Sequence, residues 1–176
     1  MRPSPIQLKH IIYEKVFVCP HRAGVVSESN GREFDFDGVK VRASVDAALK
    51  QDQQDDPRDF LITLNFGIDN KTGKKAPYDI EVGVIGVFNV LPSLPIEKRE
   101  DLVTVNGASI LYGVIREIVL SLTSRFAEGP LTLPGMNFED TAPSRQRRED
   151  TNRALSQLEE KETKPRRLPG RKKREK

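Results

Sequence analysis

Four stretches of the chain alternate apolar and polar residues with a period of two. The first runs from Ile6 to Cys19, and its phase changes around Ile11–Ile12, which predicts a β-bulge. The second runs from Phe34 to Leu49, with Val39, Val41, Ala43, Val45, Ala47 and Leu49 on one face and Lys40, Arg42, Ser44 and Asp46 on the other. Phe60, Ile62, Leu64, Phe66 and Ile68 share a face of the third, and Tyr78, Ile80, Val82, Val84, Phe88 and Val90 a face of the fourth. Successive side chains of a strand point to opposite faces, so this alternation predicts an antiparallel sheet covered on one side and solvated on the other. The connections agree with that reading. Asp69-Asn70-Lys71-Thr72-Gly73-Lys74 is dense in turn formers and predicts a hairpin, and Gln51 to Asp59 reads as a polar loop around Pro57.

The period then changes. Pro92 and Pro95 exclude a strand interior or helix core between Leu91 and Glu100, which predicts a crossover loop leaving the sheet. From about Asp101 to Arg125 the apolar residues follow helical spacing: Val105, Ala108, Ile110, Leu111, Val114, Ile115, Ile118, Val119 and Leu122, with Phe126 just beyond. Their arc is wider than one stripe, which predicts burial on two sides. The sheet is one cover, and the same helix of a second copy is the simplest other cover. Ile110, Leu111, Val114, Ile115, Ile118 and Leu122 are the candidate self-association positions. Gly129-Pro130 predicts the stop, and Leu131 to Phe138 a short extended segment.

Composition divides the chain in two. The formal charge is +3, yet residues 1–140 carry 16 Lys/Arg against 20 Asp/Glu, while residues 141–176 carry 13 against 6. The expected organisation is an α+β domain over 1–140 and a basic tail over 141–176. Arg145 to Lys164 predicts a short polar helix anchored by Ala154, Leu155 and Leu158. Pro165 to Lys176 has too little to pack and predicts disorder. A single cysteine, Cys19, fits a reducing compartment. No uninterrupted apolar run nears the roughly 20 residues that span a bilayer. The opening residues MRPSPIQLKH lack a signal-peptide core. A soluble, cytoplasmic protein is the expectation.

Reactive groups do not converge in the sequence. His10 and His21 are the only histidines. Cys19-Pro20-His21 invites a metal or nucleophile reading, but a strand end is the simpler one. No zinc spacing, GxxxxGK[ST] or GxGxxG occurs. The expectation is a binding protein that uses no nucleotide and no cofactor, and not an enzyme. Asp52-Gln53-Gln54-Asp55-Asp56 reads as a solvated loop. The run Arg166, Arg167, Arg171, Lys172, Lys173 and Arg174 would attract phosphates or acidic surfaces, but it has no aromatics to stack on bases. A solubilising extension, a nucleic-acid contact and an acidic protein partner all remain open for it.

The order of several short motifs carries a family resemblance. Ile6-Gln7-Leu8 with Ile12-Tyr13-Glu14-Lys15 resembles the opening strand of the SecB export chaperones, and Glu81-Val82 with Gly86-Val87-Phe88 their fourth strand. Ile110-Leu111-Tyr112 with Arg116-Glu117 is similar to the start of their long helix, and Leu131-Thr132-Leu133-Pro134 with Asn137-Phe138 to the segment that follows it. The resemblance covers Ile6 to Asp140 and is weakest from Ala23 to Gln54.

It implies a four-stranded antiparallel sheet packed on a long C-terminal helix, and a homotetramer built as a dimer of dimers. It also implies a holdase that binds unfolded polypeptides without ATP and keeps preproteins export-competent. The client groove falls by position on Phe88, Val90, Leu91, Leu94, Ile96, Met136 and Phe138; for Phe88 and Phe138 ordinary core packing is the competing reading. Glu81 is the one acid retained for docking the translocation motor SecA, because Val16 stands where the family has an aspartate. Thr141-Ala142-Pro143 interrupts the family's groove-covering helix. A chaperone dedicated to one client, such as the antitoxin of a toxin–antitoxin pair, is the nearest alternative. A nucleic-acid-associated module acting through the tail is a more distant one.

Overall fold

A computed structural model describes residues 4–21, 34–49, 55–145 and 147. Phe60, Ile62, Leu64, Phe66 and Ile68 stand on one face of the strand Asp59–Asp69 (β3), and none is more than 4% exposed. They pair across to the strand Tyr78–Val90 (β4) in the register Phe60↔Phe88, Leu64↔Val84, Phe66↔Val82 and Ile68↔Ile80. Residues directly opposite in an antiparallel ladder share a face, so the two strands together form one apolar floor. Ile6–Pro20 (β1) pairs with the free side of β4, and Lys40–Leu49 (β2) with the free side of β3. The resulting antiparallel sheet has the order β1-β4-β3-β2.

The helix Ile96–Thr123 (α1) lies on the floor. Val103, Gly107, Leu111, Ile115 and Val119 are buried against it, at the four-residue spacing that lines one helix face. Gly86 allows the close approach. A Cβ there would stand 2.5 Å from the Phe88 ring and 2.9 Å from a Leu111 methyl. α1 is long and apolar enough to cross a membrane by length and mean hydropathy. Here its buried stripe is taken by the sheet.

Several boundaries differ from the sequence reading. β1 carries two irregularities, between Leu8 and His10 and between Tyr13 and Lys15, instead of one at Ile11–Ile12. β2 begins at Lys40, and Phe34 and Phe36 precede it as an edge-to-face pair 5.0 Å apart. Lys74 holds that approach by donating to the Asp35 backbone carbonyl and side-chain carboxylate at 2.7 Å. α1 begins at Ile96, ahead of the expected Asp101, with Pro95 as its N-cap. A proline just outside the first turn removes an amide that would have no helical partner. At the other end α1 stops at Thr123, and Gly129 turns the chain with φ +84.

Asn70 organises the β3–β4 connection from within. Its Oδ1 accepts from the Ala76 amide at 2.8 Å, and its Nδ2 donates to the Tyr78 carbonyl at 2.9 Å. Beyond Asp140 the chain keeps touching the domain: Ala142 is buried, and the Ser144 amide donates to Asp101 Oδ1 at 2.9 Å. The expected anchors Ala154, Leu155 and Leu158 and the basic run from Arg166 to Arg174 lie outside the described residues.

Candidate functional site

The crossover loop is the most elaborately held piece of surface. Leu91 and Leu94 are half-buried, and Ile96, the first residue of α1, is 49% exposed. The Leu91 amide donates to the Pro5 carbonyl at 2.9 Å, and the Leu94 amide to the Leu91 carbonyl at 3.1 Å. Beneath them sits Arg99, a cation buried to 3% exposure. Its Nε donates to the Leu94 carbonyl at 2.8 Å, and its Nη1 to the Pro57 carbonyl at 3.0 Å and the Asp56 carboxylate at 2.5 Å. Hydrogen bonds from Arg99 and then Arg58 hold the Asp56 carboxyl below its usual range.

The extended segment after α1 is pinned by hydroxyl groups. Leu131 and Leu133 are buried, and the Leu131 amide donates to Thr123 Oγ1 at 2.9 Å. Tyr112 Oη donates to the Pro134 carbonyl at 2.7 Å, while its ring packs between Phe66 and Phe138. Burial pushes the Tyr112 hydroxyl up to about 12, although the Arg116 charge pulls the other way. Met136 is half-buried on this segment.

The seven residues assigned to the groove therefore divide. Leu91, Leu94, Ile96 and Met136 present surface. Phe88, Val90 and Phe138 do not, because α1, β3 and Tyr112 cover them in the core. The sequence reading did not assign Ala43, Ala47 and Leu49 of β2, which share the helix side of the sheet and stay exposed. It also missed Arg99, which fell in the segment read as loop and gave no signal of its own.

A second apolar region lies at β1. Ile11, Tyr13 and Val16 pair with Gly86, Val84 and Val82, so they face the helix side, yet Tyr13 is 44% exposed and the other two nearly as much. The six self-association positions on α1 divide as well. Leu111 and Ile115 are fully buried against the sheet and offer nothing to a partner. Ile110 is exposed, and Val114, Ile118 and Leu122 are partly covered. At about 100° per residue, Ile110, Val114 and Ile118 form the flank away from Tyr112.

The opposite face of the sheet holds Glu81. Lys15 donates to its carboxylate, Arg42 lies 3.9 Å away, and the bond from Lys15 keeps the carboxyl below its usual range. Gly67 and Gly83 open a shallow cleft of about 410 Å³ beside it, lined also by Ser44 and Asn65. Val16, opposite Val82, is not on this face; Phe17 is the residue paired with Glu81. At the end of β1, His21 Nδ1 lies 3.0 Å from both Asp79 oxygens, and its Nε2 is buried without a partner. Burial raises the Asp79 carboxyl, but hydrogen bonds from His21 and Asn70 outweigh it and leave it below the usual range. Among the described residues no three His, Cys, Asp or Glu side chains gather as a metal site.

Several known proteins are similar to this chain. The family model described as preprotein translocase subunit SecB matches residues 36–149, a span that begins ahead of β2 and leaves out β1. Two proteins named protein-export protein SecB, from two strains of Acidithiobacillus ferrooxidans, are 33% identical over 78 residues. That match takes in 44% of this chain and 52% of each relative, so the chain spans about half the length of the curated relatives it matches. Among solved structures, a SecB-like chaperone of Mycobacterium tuberculosis in complex with a ChAD peptide from an antitoxin is similar at 21% identity. It has a TM-score of 0.49 and covers 75% of this chain and 91% of that one. A protein of unknown function from Streptococcus agalactiae is similar at 10% identity and TM-score 0.48, covering 74% of this chain and 97% of its own. With the family model matching well over half of its residues, this chain belongs to the SecB family.

Proposed function

We propose that the protein is an ATP-independent chaperone that holds unfolded polypeptides on its exposed apolar surface. The observation that carries the reading is the number of large apolar side chains left open in a folded member of this family: Ile11, Tyr13, Val16, Leu49, Ile96 and Ile110 among them. Single exposed apolar residues need no explanation, but contiguous ones mark an interaction surface. Two surfaces divide the work. The exposed side of β1 and the Ile110–Ile118 flank of α1 associate with further copies of the chain. Leu91, Leu94 and Ile96, with Leu49 on β2, receive the client.

Burying apolar surface yields about 25 cal/mol per Å², so several shallow contacts are needed, and an oligomer supplies them by avidity. Binding of this kind needs no bond-making chemistry and no nucleotide. A cytoplasmic location fits a client taken up before export. The described domain carries the binding. Docking of SecA through Glu81 would have to displace or share the exposed Lys15 pair on that carboxylate.

The test is dilution of a chemically unfolded protein into the full chain without nucleotide. Near-stoichiometric suppression of aggregation is expected, with Leu94→Ser and Ile96→Ser weakening it. Absence of suppression by the wild-type chain against every client overturns the reading. Suppression for one partner alone, such as an antitoxin, narrows it to a dedicated chaperone.

A further inference from the structure

A cation in the first turn of a helix is electrostatically misplaced, because the helix N-terminus carries partial positive charge and favours acids such as Glu97. Arg99 occupies that position and is buried as well. Burial of a guanidinium is costly unless its donors are satisfied and its charge is paired. Both conditions are met from outside the helix. The loop before α1 contains Pro92 and Pro95, which have no amide hydrogen with which to tie the loop down. Its carbonyls need donors instead. Arg99 supplies them to Leu94 at 2.8 Å and to Pro92 at 3.4 Å. The same guanidinium reaches the connection ahead of β3, at the Pro57 carbonyl and the Asp56 carboxylate. One planar fork thus ties the start of α1 and the loop just before it to the distant connection ahead of β3.

We infer that Arg99 is a positioning residue that fixes the crossover loop in one shape, so that Leu91, Leu94 and Ile96 form a preformed rim for the client. The inference rests on the proposed chaperone function for its client and on geometry for its clamp. A loop already ordered in the free protein loses less conformational freedom on binding, and affinity rises accordingly. Lysine cannot replace this fork, since an ammonium on a flexible stem lacks the fixed donor directions that serve three carbonyls and a carboxylate together.

The experiment compares the full-length wild type with Arg99→Lys and Asp56→Asn. It reads two quantities, amide hydrogen exchange and affinity for an unfolded, non-aggregating polypeptide. For Arg99→Lys we expect exchange at Leu91 and Leu94 to rise about ten-fold or more with central β4 amides such as Val84 unchanged, and client affinity to fall about five-fold. Asp56→Asn keeps the carbonyl bonds and should show smaller changes in the same direction. A rise in exchange across the whole domain would mean that Arg99 merely stabilises the fold, and would overturn the inference. So would a loosened loop with unchanged affinity, or an unchanged loop. If the wild type binds no client, the chaperone reading falls and the preformed rim with it, while exchange alone still decides whether Arg99 clamps the loop.

Discussion

The central strands β3 and β4 and the edge strands β1 and β2 are built from the same residue types in the same alternation. Ile62, Leu64, Val82 and Val84 are sealed under α1, whereas Tyr13 and Val16 on β1 and Leu49 on β2 remain open on the same side of the sheet. Width accounts for the difference. A helix is about 10–12 Å across and strands lie about 4.8 Å apart, so one helix covers roughly two strands. Among the described residues, several inner-face side chains of the two outer strands stay open, although Ile6 is buried and Val41 and Val45 are half-buried. The centre carries the buried core, and the edge strands keep apolar side chains open without weakening it.

The widest gap between the two regions should appear in stability. Leu111→Ala removes a fully buried side chain and should cost about 3–5 kcal/mol, whereas Leu49→Ala on β2 should cost under about 0.5 kcal/mol. Urea unfolding of both variants measures this, and comparable losses would erase the distinction. Gly86→Ala comes next. Its methyl group would press into Phe88 and Leu111 and should cost about 1–3 kcal/mol, while Gly135→Ala, with open space around it, should be close to neutral.

Charge placed on the open edge should act on association instead. Val16→Asp or Ile110→Asp should lower the solution mass read by light scattering and leave the unfolding free energy of the dissociated chain within about 0.5 kcal/mol. An unchanged mass would remove β1 and the helix flank from the self-association surface.

The smallest effects concern pH. The Tyr112 hydroxyl is raised in the folded chain, so the unfolded chain gives up its proton first. Stability from this group is whole below the ordinary value of 10.0 and is lost as pH rises toward about 12. Tyr112→Phe should flatten the alkaline end of the stability curve. Asp56 has the opposite sign. Its folded value is depressed, so its contribution is present above the ordinary carboxylate value of 3.8 and fades as pH falls below it. Asp56→Asn should flatten the acid end at the crossover loop more than elsewhere.

Much of this was written in the residue pattern. The four strands, the crossover after β4 and the long helix all follow from apolar periodicity and two prolines, because those signals are local. The bulges of β1 were legible only as a disturbed phase, since a bulge is defined by the partner strand. Site residues were harder to place. Phe88 and Ile96 are both apolar and both near the crossover, yet one is core and one is surface. Leu111 and Ile110 are adjacent in sequence and differ in the same way.

Arg99 shows the limit most clearly. In the sequence it is one charge among several in a segment read as loop, ahead of the expected helix start at Asp101. Only the fold brings Asp56 and the carbonyls of Pro57, Pro92 and Leu94 around it. Periodicity determined which elements exist and which way their faces turn, since both depend on backbone geometry within a few residues. Which faces are covered, and which charges find partners, depends on segments meeting in space, and the tertiary structure alone decided that.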